Sequence, residues 1–390
     1  MQLKLDEKDQ AFRDELNEFL DRELPADWSP GMPYEESTDE RAGFQREFVR
    51  KLATRKWLAM AWPSEYGGLG ASHHQQLIYN EVMSYRQAPG AFSMGVAWVG
   101  PALMLYGSDE QKKRFLPGIT SGDDVWCTLY SEPIAGSDLA ALQTKAIHDG
   151  DDYVINGQKI WTSGARNSNW GWLAARTDFE APKHKGISTF VVPMDAPGVS
   201  IRPLINMAGE AGFNEVFFED VRIPKDFLVG EENRGWYQVA VALDFERSGI
   251  QSYSGARRSM EKVTEYVRAN PDVLEQRPQL RNEIADRWIE IETGTIIAYR
   301  ITWMQSRGMI PNHEASMSKL FGSELTQRVA LTTMHTLGMH GQLEPGSKHA
   351  VMGGSAPKSY NSAVASTVAA GTSEIQRGII AGRGLGLPRG

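Results

Sequence analysis

The chain has a single cysteine, Cys127, in 390 residues, which excludes an internal disulfide and any metal site built from several thiolates. No apolar run approaches the ~20 residues needed to cross a bilayer. The opening Met1-Gln2-Leu3-Lys4-Leu5-Asp6 lacks the apolar stretch of a signal peptide. Basic residues are not in excess: 41 Lys and Arg stand against 49 Asp and Glu, a net charge of −8. That balance offers no electrostatic footprint for nucleic acid or an anionic membrane. The expectation is a cytoplasmic protein with neither as partner. Several chemistry-bearing patterns are also missing. No Gly-x-Gly-x-x-Gly follows a strand-like run, and there is no Gly-x-x-x-x-Gly-Lys-Ser/Thr, His-Glu-x-x-His or Gly-x-Ser-x-Gly. The eight histidines include His73-His74, but none is spaced with carboxylates as a metal ligand, so no metal is expected.

What is present is ordinary globular composition, 41% hydrophobic and 23% charged, in a chain long enough for two or three subdomains. Over residues 6–24, Phe12, Leu16, Phe19, Leu20 and Leu24 recur at helical spacing. Residues 40–60 read as a second helix whose buried end carries Trp57, Leu58, Met60 and Trp62. A glycine-rich turn spans Glu65 to Gly70, and helices follow at about 73–86 and 92–106. Ser108 with Gln111 forms a capping box for a helix over Asp109–Leu116, which Pro117-Gly118 is expected to end.

After Gly122 the period changes. Trp126–Tyr130, Thr144–His148, Tyr153–Ile155, Gln158–Thr162, Trp170–Ala175, Ile187–Pro193, Val199–Pro203 and Glu215–Val221 are short β-rich runs punctuated by Asp149-Gly150, Asn156-Gly157 and Gly186. Such runs predict an antiparallel barrel or sandwich rather than βαβ units. Helical patterns return over 236–269, 278–307, 313–338 and 359–382, as in an antiparallel bundle. The fold class is therefore multidomain α+β: an all-α segment (1–118), a β-domain (119–234) and a C-terminal four-helix bundle (235–390).

One loop stands out. Leu129-Tyr130-Ser131-Glu132-Pro133-Ile134-Ala135-Gly136-Ser137-Asp138 has too many turn formers to be regular throughout. Its hydroxyls and amides suit a polar ligand such as phosphate or flavin, and equally a solvated turn.

Seven stretches, taken in order, resemble the acyl-CoA dehydrogenase family, and the likeness covers essentially the whole chain. They are Trp62-Pro-Ser-Glu-Tyr-Gly-Gly-Leu-Gly70, Gly107-Ser-Asp-Glu-Gln-Lys112, Ser131-Glu-Pro-Ile-Ala-Gly-Ser-Asp138, Asn156-Gly-Gln-Lys-Ile-Trp-Thr-Ser163, Asn214-Glu-Val-Phe-Phe-Glu-Asp-Val221, Val229-Gly-Glu-Glu-Asn-Arg-Gly-Trp236 and Gly371-Thr-Ser-Glu-Ile-Gln-Arg377. The resemblance implies FAD as cofactor. It implies Thr128, Tyr130 and Ser131 at the isoalloxazine, Gly136 and Ser137 toward the phosphates, and Ser137 also where the acyl-CoA enters. Trp161 and Ser163 match contacts on the other side of the ring, and Thr372 and Glu374 match positions that reach the FAD from the last helix. Hydroxyls and amides placed at an electron-rich ring suit its reduced form.

The family's reaction removes an α-proton from an acyl thioester while the β-hydride passes to flavin N5, leaving a trans-2-enoyl-CoA. A desolvated Glu with its pKa raised to about 6–7 suits the base. Many members carry that Glu just before the Gly-Thr of the last motif, where this chain has Ala370. Others, including isovaleryl- and long-chain enzymes and bacterial steroid side-chain enzymes, place it on the first bundle helix within Leu-x-x-Glu-Arg. Leu243-Asp244-Phe245-Glu246-Arg247 matches that pattern. The resemblance therefore implies Glu246 as base, desolvated by an apolar flank, with Arg247 near the CoA or orienting the base. Relatives also carry an Arg-x-x-Phe-Gly segment that reaches a neighbouring subunit's FAD. Residues 266–280 have nothing like it, and Pro271 breaks the helix there. Lys183-His184-Lys185 reads as a solvated charge cluster or a contact for CoA phosphates.

The expected partners are an acyl-CoA substrate, electron-transferring flavoprotein as acceptor, and further subunits. These make either a homo-oligomer (dimer or tetramer) or a hetero-oligomer with a homologous chain. A flavin oxidase or monooxygenase offshoot and a non-catalytic partner subunit are the alternatives.

Overall fold

In the computed structural model, residues 5–26, 28, 39–242 and 248–388 are described. Helix α1 (Glu7–Glu23) starts where the Asp6 carboxylate accepts from the Asp9 amide at 2.8 Å. Its stripe of Phe12, Leu16, Phe19 and Leu20 is buried with Phe48 and Leu52 of α2 (Asp39–Thr54), Trp57, and Ile78, Tyr79 and Met83 of α3 (His73–Arg86). Trp57 meets Phe12 and Phe19 edge-on, with ring centroids 5.7 and 5.4 Å away. The expected helix over 40–60 ends at Thr54. Lys56 turns left-handed (φ 58°), and Trp57, Leu58, Ala59, Met60 and Trp62 are buried in the turn that follows, so the apolar pattern outlasts the helix. Ser72 and Gln75 form a capping box on α3, a signal not used in the sequence reading.

The stretch expected as helix 92–106 is a π-turn (Gly95–Val99) running into α4 (Gly100–Tyr106). The Ser108–Gln111 capping box opens α5 (Asp109–Ser121). Pro117-Gly118 does not stop that helix, which runs on to Gly122 at φ 75°. Gly118 serves a close approach instead: a Cβ there would lie 1.9 Å from the Asp124 carboxylate.

The middle domain is one sheet of β1 (Trp126–Leu129), β2 (Lys145–Asp149), β3 (Asp152–Ser163), β4 (Trp170–Arg176), β5 (Ile187–Pro193), β6 (Val199–Leu204), β7 (Phe213–Pro224) and β8 (Leu228–Val229). Its order is β6-β7-β3-β2-β4-β5-β8, with β1 beside β4. Pairing is antiparallel except that β1 runs parallel to β4 and β2 touches β4 in parallel at Lys145 and Arg176. The two runs expected at 153–155 and 158–162 are one strand, β3. Register slips at Ile155/Gly157 and Lys159/Thr162 bend it without ending it. Leu129, Trp172, Phe190 and Val216 lie in its core, which continues into Leu103 and Phe115 of the helical segment.

The last region holds α6 (Gly235–Ala242), α7 (Ile250–Ala269), α8 (Asp272–Gln276), α9 (Leu280–Ser306), α10 (His313–Leu337), α11 (Ala356–Ala363) and α12 (Ser373–Ile379). Tyr253, Met260, Ile291, Leu325 and Val329 form the bundle core, with Leu77 of α3 packed into it. The single helix expected over 236–269 is seen as α6 and α7; residues 243–247 lie outside the described residues. The helix expected over 359–382 is broken into α11, a 3-10 turn (Val364–Thr367) and α12. Ala370 (φ 54°) and Gly371 (φ 85°) are both left-handed, which no helix tolerates.

Candidate active site

At the end of β1 the chain leaves the sheet. Glu132 and Ala135 exchange backbone hydrogen bonds at 3.0 Å, closing a tight turn around Pro133 and Ile134. Thr128, Tyr130 and Ser131 are half-buried before it, and Gly136 and Ser137 are exposed after it. Asp138 pairs with Lys183 at 2.8 Å, across exposed surface. His184 packs edge-on against Trp236 at 4.7 Å, so the Lys183–Lys185 cluster is not wholly free in solvent.

Alongside runs the bulged end of β3. The Ile160 amide donates to the Ser131 carbonyl at 2.9 Å, which ties the two strips together. The slip after Lys159 leaves Trp161 left-handed (φ 62°) and the residue 57% exposed, while Thr162 is buried beside it. Ser163 is half-buried at the strand's end. Thr128, Tyr130, Ser131, Trp161 and Ser163 thus come from two strips in hydrogen-bonded contact. Three buried hydroxyls make no hydrogen bond among the described residues: Tyr130 and Thr162 on these strips, and Ser373 on α12. Burial pushes the Tyr130 phenol well above its ordinary range, so it stays a protonated donor.

Thr372 and Glu374 lie apart from these strips. Thr372 caps α12 by accepting from the Ile375 amide at 3.2 Å. Both residues line a cleft of about 620 Å³ with Glu324, Gln327, Arg328, Tyr360 and Arg377. Backbone amide donation at the helix start and the Thr372 hydroxyl hold the exposed Glu374 carboxyl below the usual range. Ala370 is exposed at the turn before the cleft and offers no titratable group. Glu246 and Arg247 lie outside the described residues.

Two functional candidates escaped the sequence reading. Lys159 is fully buried and donates to the Glu132 carboxylate at 2.8 Å and to the Tyr130 carbonyl at 3.0 Å. Glu132 also accepts from the amides of Gln143 (2.6 Å) and Thr144 (2.8 Å). Burial opposes the charge on Glu132, but Lys159 and those donors outweigh it and hold the carboxyl below its ordinary range. Burial draws Lys159 down to about 8 against the pull of Glu132, leaving the pair ionised at neutral pH. The available signal was a lysine inside the β-rich run Gln158–Thr162 and a glutamate of opposite charge in the turn-rich loop Leu129–Asp138.

Family models for the acyl-CoA dehydrogenase N-terminal, middle and C-terminal domains match residues 6–123, 127–221 and 233–385. The chain belongs to the acyl-CoA dehydrogenase family. It is 38% identical over 360 residues to acyl-CoA dehydrogenase FadE26 of Mycobacterium tuberculosis, covering 88% of each chain. It is 31% identical over 392 residues to the human mitochondrial short-chain specific acyl-CoA dehydrogenase, covering 97% of this chain and 90% of that one. Among solved structures, the Tcur3481-Tcur3483 steroid ACAD superposes with a TM-score of 0.88 at 36% identity. The ChsE4-ChsE5 complex of M. tuberculosis does so with a TM-score of 0.88 at 35% identity, and both matches cover all of either chain.

This acyl-CoA dehydrogenase is an oxidoreductase whose cofactor is FAD. The residues present fit that group. Orphaned buried hydroxyls and an outward-turned indole are what an acceptor-rich planar ring would satisfy and cover. Among the described residues no cluster of His, Cys, Asp and Glu could hold a metal, and no helix is long and apolar enough to cross a membrane.

Proposed function

We propose that this acyl-CoA dehydrogenase converts an acyl-CoA thioester to the trans-2-enoyl-CoA, with Glu246 removing the α-proton. Bound FAD supplies the two-electron, hydride-accepting chemistry. Thr128, Tyr130 and Ser131 on one strip, and Trp161 and Ser163 on the other, hold and orient the ring. Gly136 and Ser137 would hold its phosphates, and Thr372 and Glu374 would contact it from α12. Ser137 and Arg247 position the CoA thioester, and the Glu246 carboxylate takes the α-proton and releases it to solvent before the next turnover. The observation that carries this reading is the hydrogen bond from Ile160 to Ser131, which joins two strips bearing unpaired buried hydroxyls and an exposed Trp161.

Anaerobic titration of the purified protein with straight-chain, branched and steroid side-chain acyl-CoAs tests it. At least one should bleach the flavin with formation of the enoyl product. Glu246→Gln should retain FAD yet lose turnover by about 10²-fold or more. Near-normal turnover in that variant would end the assignment of the base.

Electron-transferring flavoprotein is the proposed acceptor. Hetero-oligomeric assembly with a homologous subunit is favoured over a homo-oligomer by one local observation. Where relatives extend Arg-x-x-Phe-Gly toward a neighbouring FAD, this chain forms the short helix α8, packed through Val273 on Val267 and Leu280. Arg277 in that segment donates to the Thr336 carbonyl at 3.0 Å and to that of His335, so it is engaged within its own chain. The matching ChsE4-ChsE5 structure is itself a complex of two named chains. Sedimentation of the chain alone and with a homologous partner distinguishes the two assemblies.

A further inference from the structure

A lysine with no exposed side-chain surface, facing a glutamate with 4%, is costly to build. Replacing such a pair by apolar side chains is often neutral or stabilising, so domain stability alone does not account for it. Its other hydrogen bonds suggest what does. Lys159 donates to the carbonyl of Tyr130, and Glu132 accepts from the amides of Gln143 and Thr144. The pair therefore holds both ends of the excursion between β1 and β2. The far stretch has a second buried cation: Arg176 donates to the carbonyls of Ala140 (2.6 Å) and Leu142 (3.1 Å). One residue beyond Lys159, the Ile160 amide binds the Ser131 carbonyl, and one further on, Trp161 is turned outward.

We propose that Lys159 and Glu132 are positioning residues for the flavin, their buried pair fixing the Tyr130–Ser131 backbone against the Trp161 bulge. This rests on the reading of those two strips as the FAD site. An inward-facing Lys159 sets the phase of the bulge, so the same contact that anchors one strip determines which way the other presents its indole. With the pair broken, the partly buried Tyr130 carbonyl loses its Lys159 donor and the loop is free to move by fractions of an ångström. A cofactor held by many weak contacts on that loop responds to such a shift.

The test uses the full-length holoenzyme and four sets of variants. Lys159→Met strands the Glu132 charge. The double variant Lys159→Met with Glu132→Gln removes both charges at similar volume, so it remains foldable where the single change is not. Lys159→Arg keeps the charge. Ser131→Ala and Trp161→Ala probe the site itself. FAD dissociation, the flavin absorption band, its reduction potential and the melting temperature of the FAD-free protein are read for each. The double variant should melt within a few degrees of the parent, bind FAD about tenfold more weakly or worse, and shift the absorption band and potential. Lys159→Arg should restore part of this. Wild-type FAD affinity, band and potential in a folded double variant would overturn the proposal, as would failure of every pair variant to fold. If Ser131→Ala and Trp161→Ala leave FAD binding and spectrum untouched, it is the reading of the two strips that fails.

Discussion

The Lys319 ammonium on α10 donates to the Gly371 carbonyl at 2.6 Å and reaches that of Ser366 at 3.3 Å. It thereby tethers the left-handed pair Ala370-Gly371 that sets the start of α12, and with it Thr372 and Glu374. Burial lowers the lysine's pKa while Glu374 opposes the shift. Lys319→Met removes the donor from two partly buried carbonyls and leaves Gly371 only the long bond from Gln376 Nε2 at 3.4 Å, a loss of about 1–3 kcal/mol. Thermal denaturation should show a melting temperature lower by several degrees, with weaker FAD binding, and Lys319→Arg should recover part of both. An unchanged melting point would mean that the turn holds without its tether.

Trp161 adopts a backbone conformation that costs a non-glycine residue about 1–2 kcal/mol, and the residue is mostly exposed. Its side chain contributes little core: an edge-on contact with Phe213 at 6.0 Å is its one aromatic neighbour among the described residues. Trp161→Gly should therefore leave the FAD-free protein as stable as Trp161→Ala or more so, by up to about 1 kcal/mol, since relieved strain offsets glycine's entropy. Both should weaken FAD binding. Urea denaturation of the two FAD-free proteins makes the comparison, and a clearly less stable glycine variant would show that the bulge is unstrained.

Gln111 joins the helical N-terminal segment to the sheet. Its Nε2 donates to the carbonyls of Asp226 (2.6 Å) and Leu228 (2.8 Å), while its Oε1 accepts from the Ser108 amide at 3.0 Å. It is 5% exposed, so no water replaces these bonds at the surface. Gln111→Ala should cost about 2–3 kcal/mol, more than loss of a capping box alone, because the carbonyls of Asp226, in the turn before β8, and of Leu228, in β8, lose this donor. Hydrogen exchange should show the excess as faster opening around Leu228. Destabilisation confined to the start of α5 would reduce Gln111 to a cap.

The helices and most strands were legible because burial on one face imposes a period on the chain. The misreadings fall where burial and hydrogen bonding part company. Trp57 to Trp62 continue an apolar pattern past the end of α2, because a turn can be buried as well as a helix. Pro117 looks like a stop, yet costs α5 only one donor and is carried through. The two halves of β3 look separate because a bulge resembles a turn in sequence. At the site, the hydroxyls of the Leu129–Asp138 loop suit a polar ligand or a solvated turn by their chemistry alone, and the family's motifs are what favour the ligand and single out Trp161. Lys159 and Glu132 stand within two of those motifs, but nothing in the local sequence pairs them. Their pairing depends on which side chains of a twice-slipped strand face inward, and that is fixed by β7 and the loop rather than by local spacing.

Glu132 also predicts how the loop responds to acid. Its carboxyl is held below the ordinary value of 4.5 in the folded protein, burial being outweighed by Lys159 and the amide donors. The folded state thus binds this proton less readily than the unfolded chain does, and the unfolded chain gains protons first as the pH falls. The stabilisation is fully present above about pH 4.5 and drains away as the pH drops through the lower folded value. Protonation then leaves Lys159 buried beside a neutral acid, which loosens the Tyr130 carbonyl. Below about pH 4.5 the parent protein should lose stability and FAD in parallel, beyond what the double variant Lys159→Met with Glu132→Gln loses over the same range. Melting curves and flavin fluorescence from pH 7 to pH 3.5 measure both. Identical acid profiles for the parent and the double variant would place the acid sensitivity in other carboxylates.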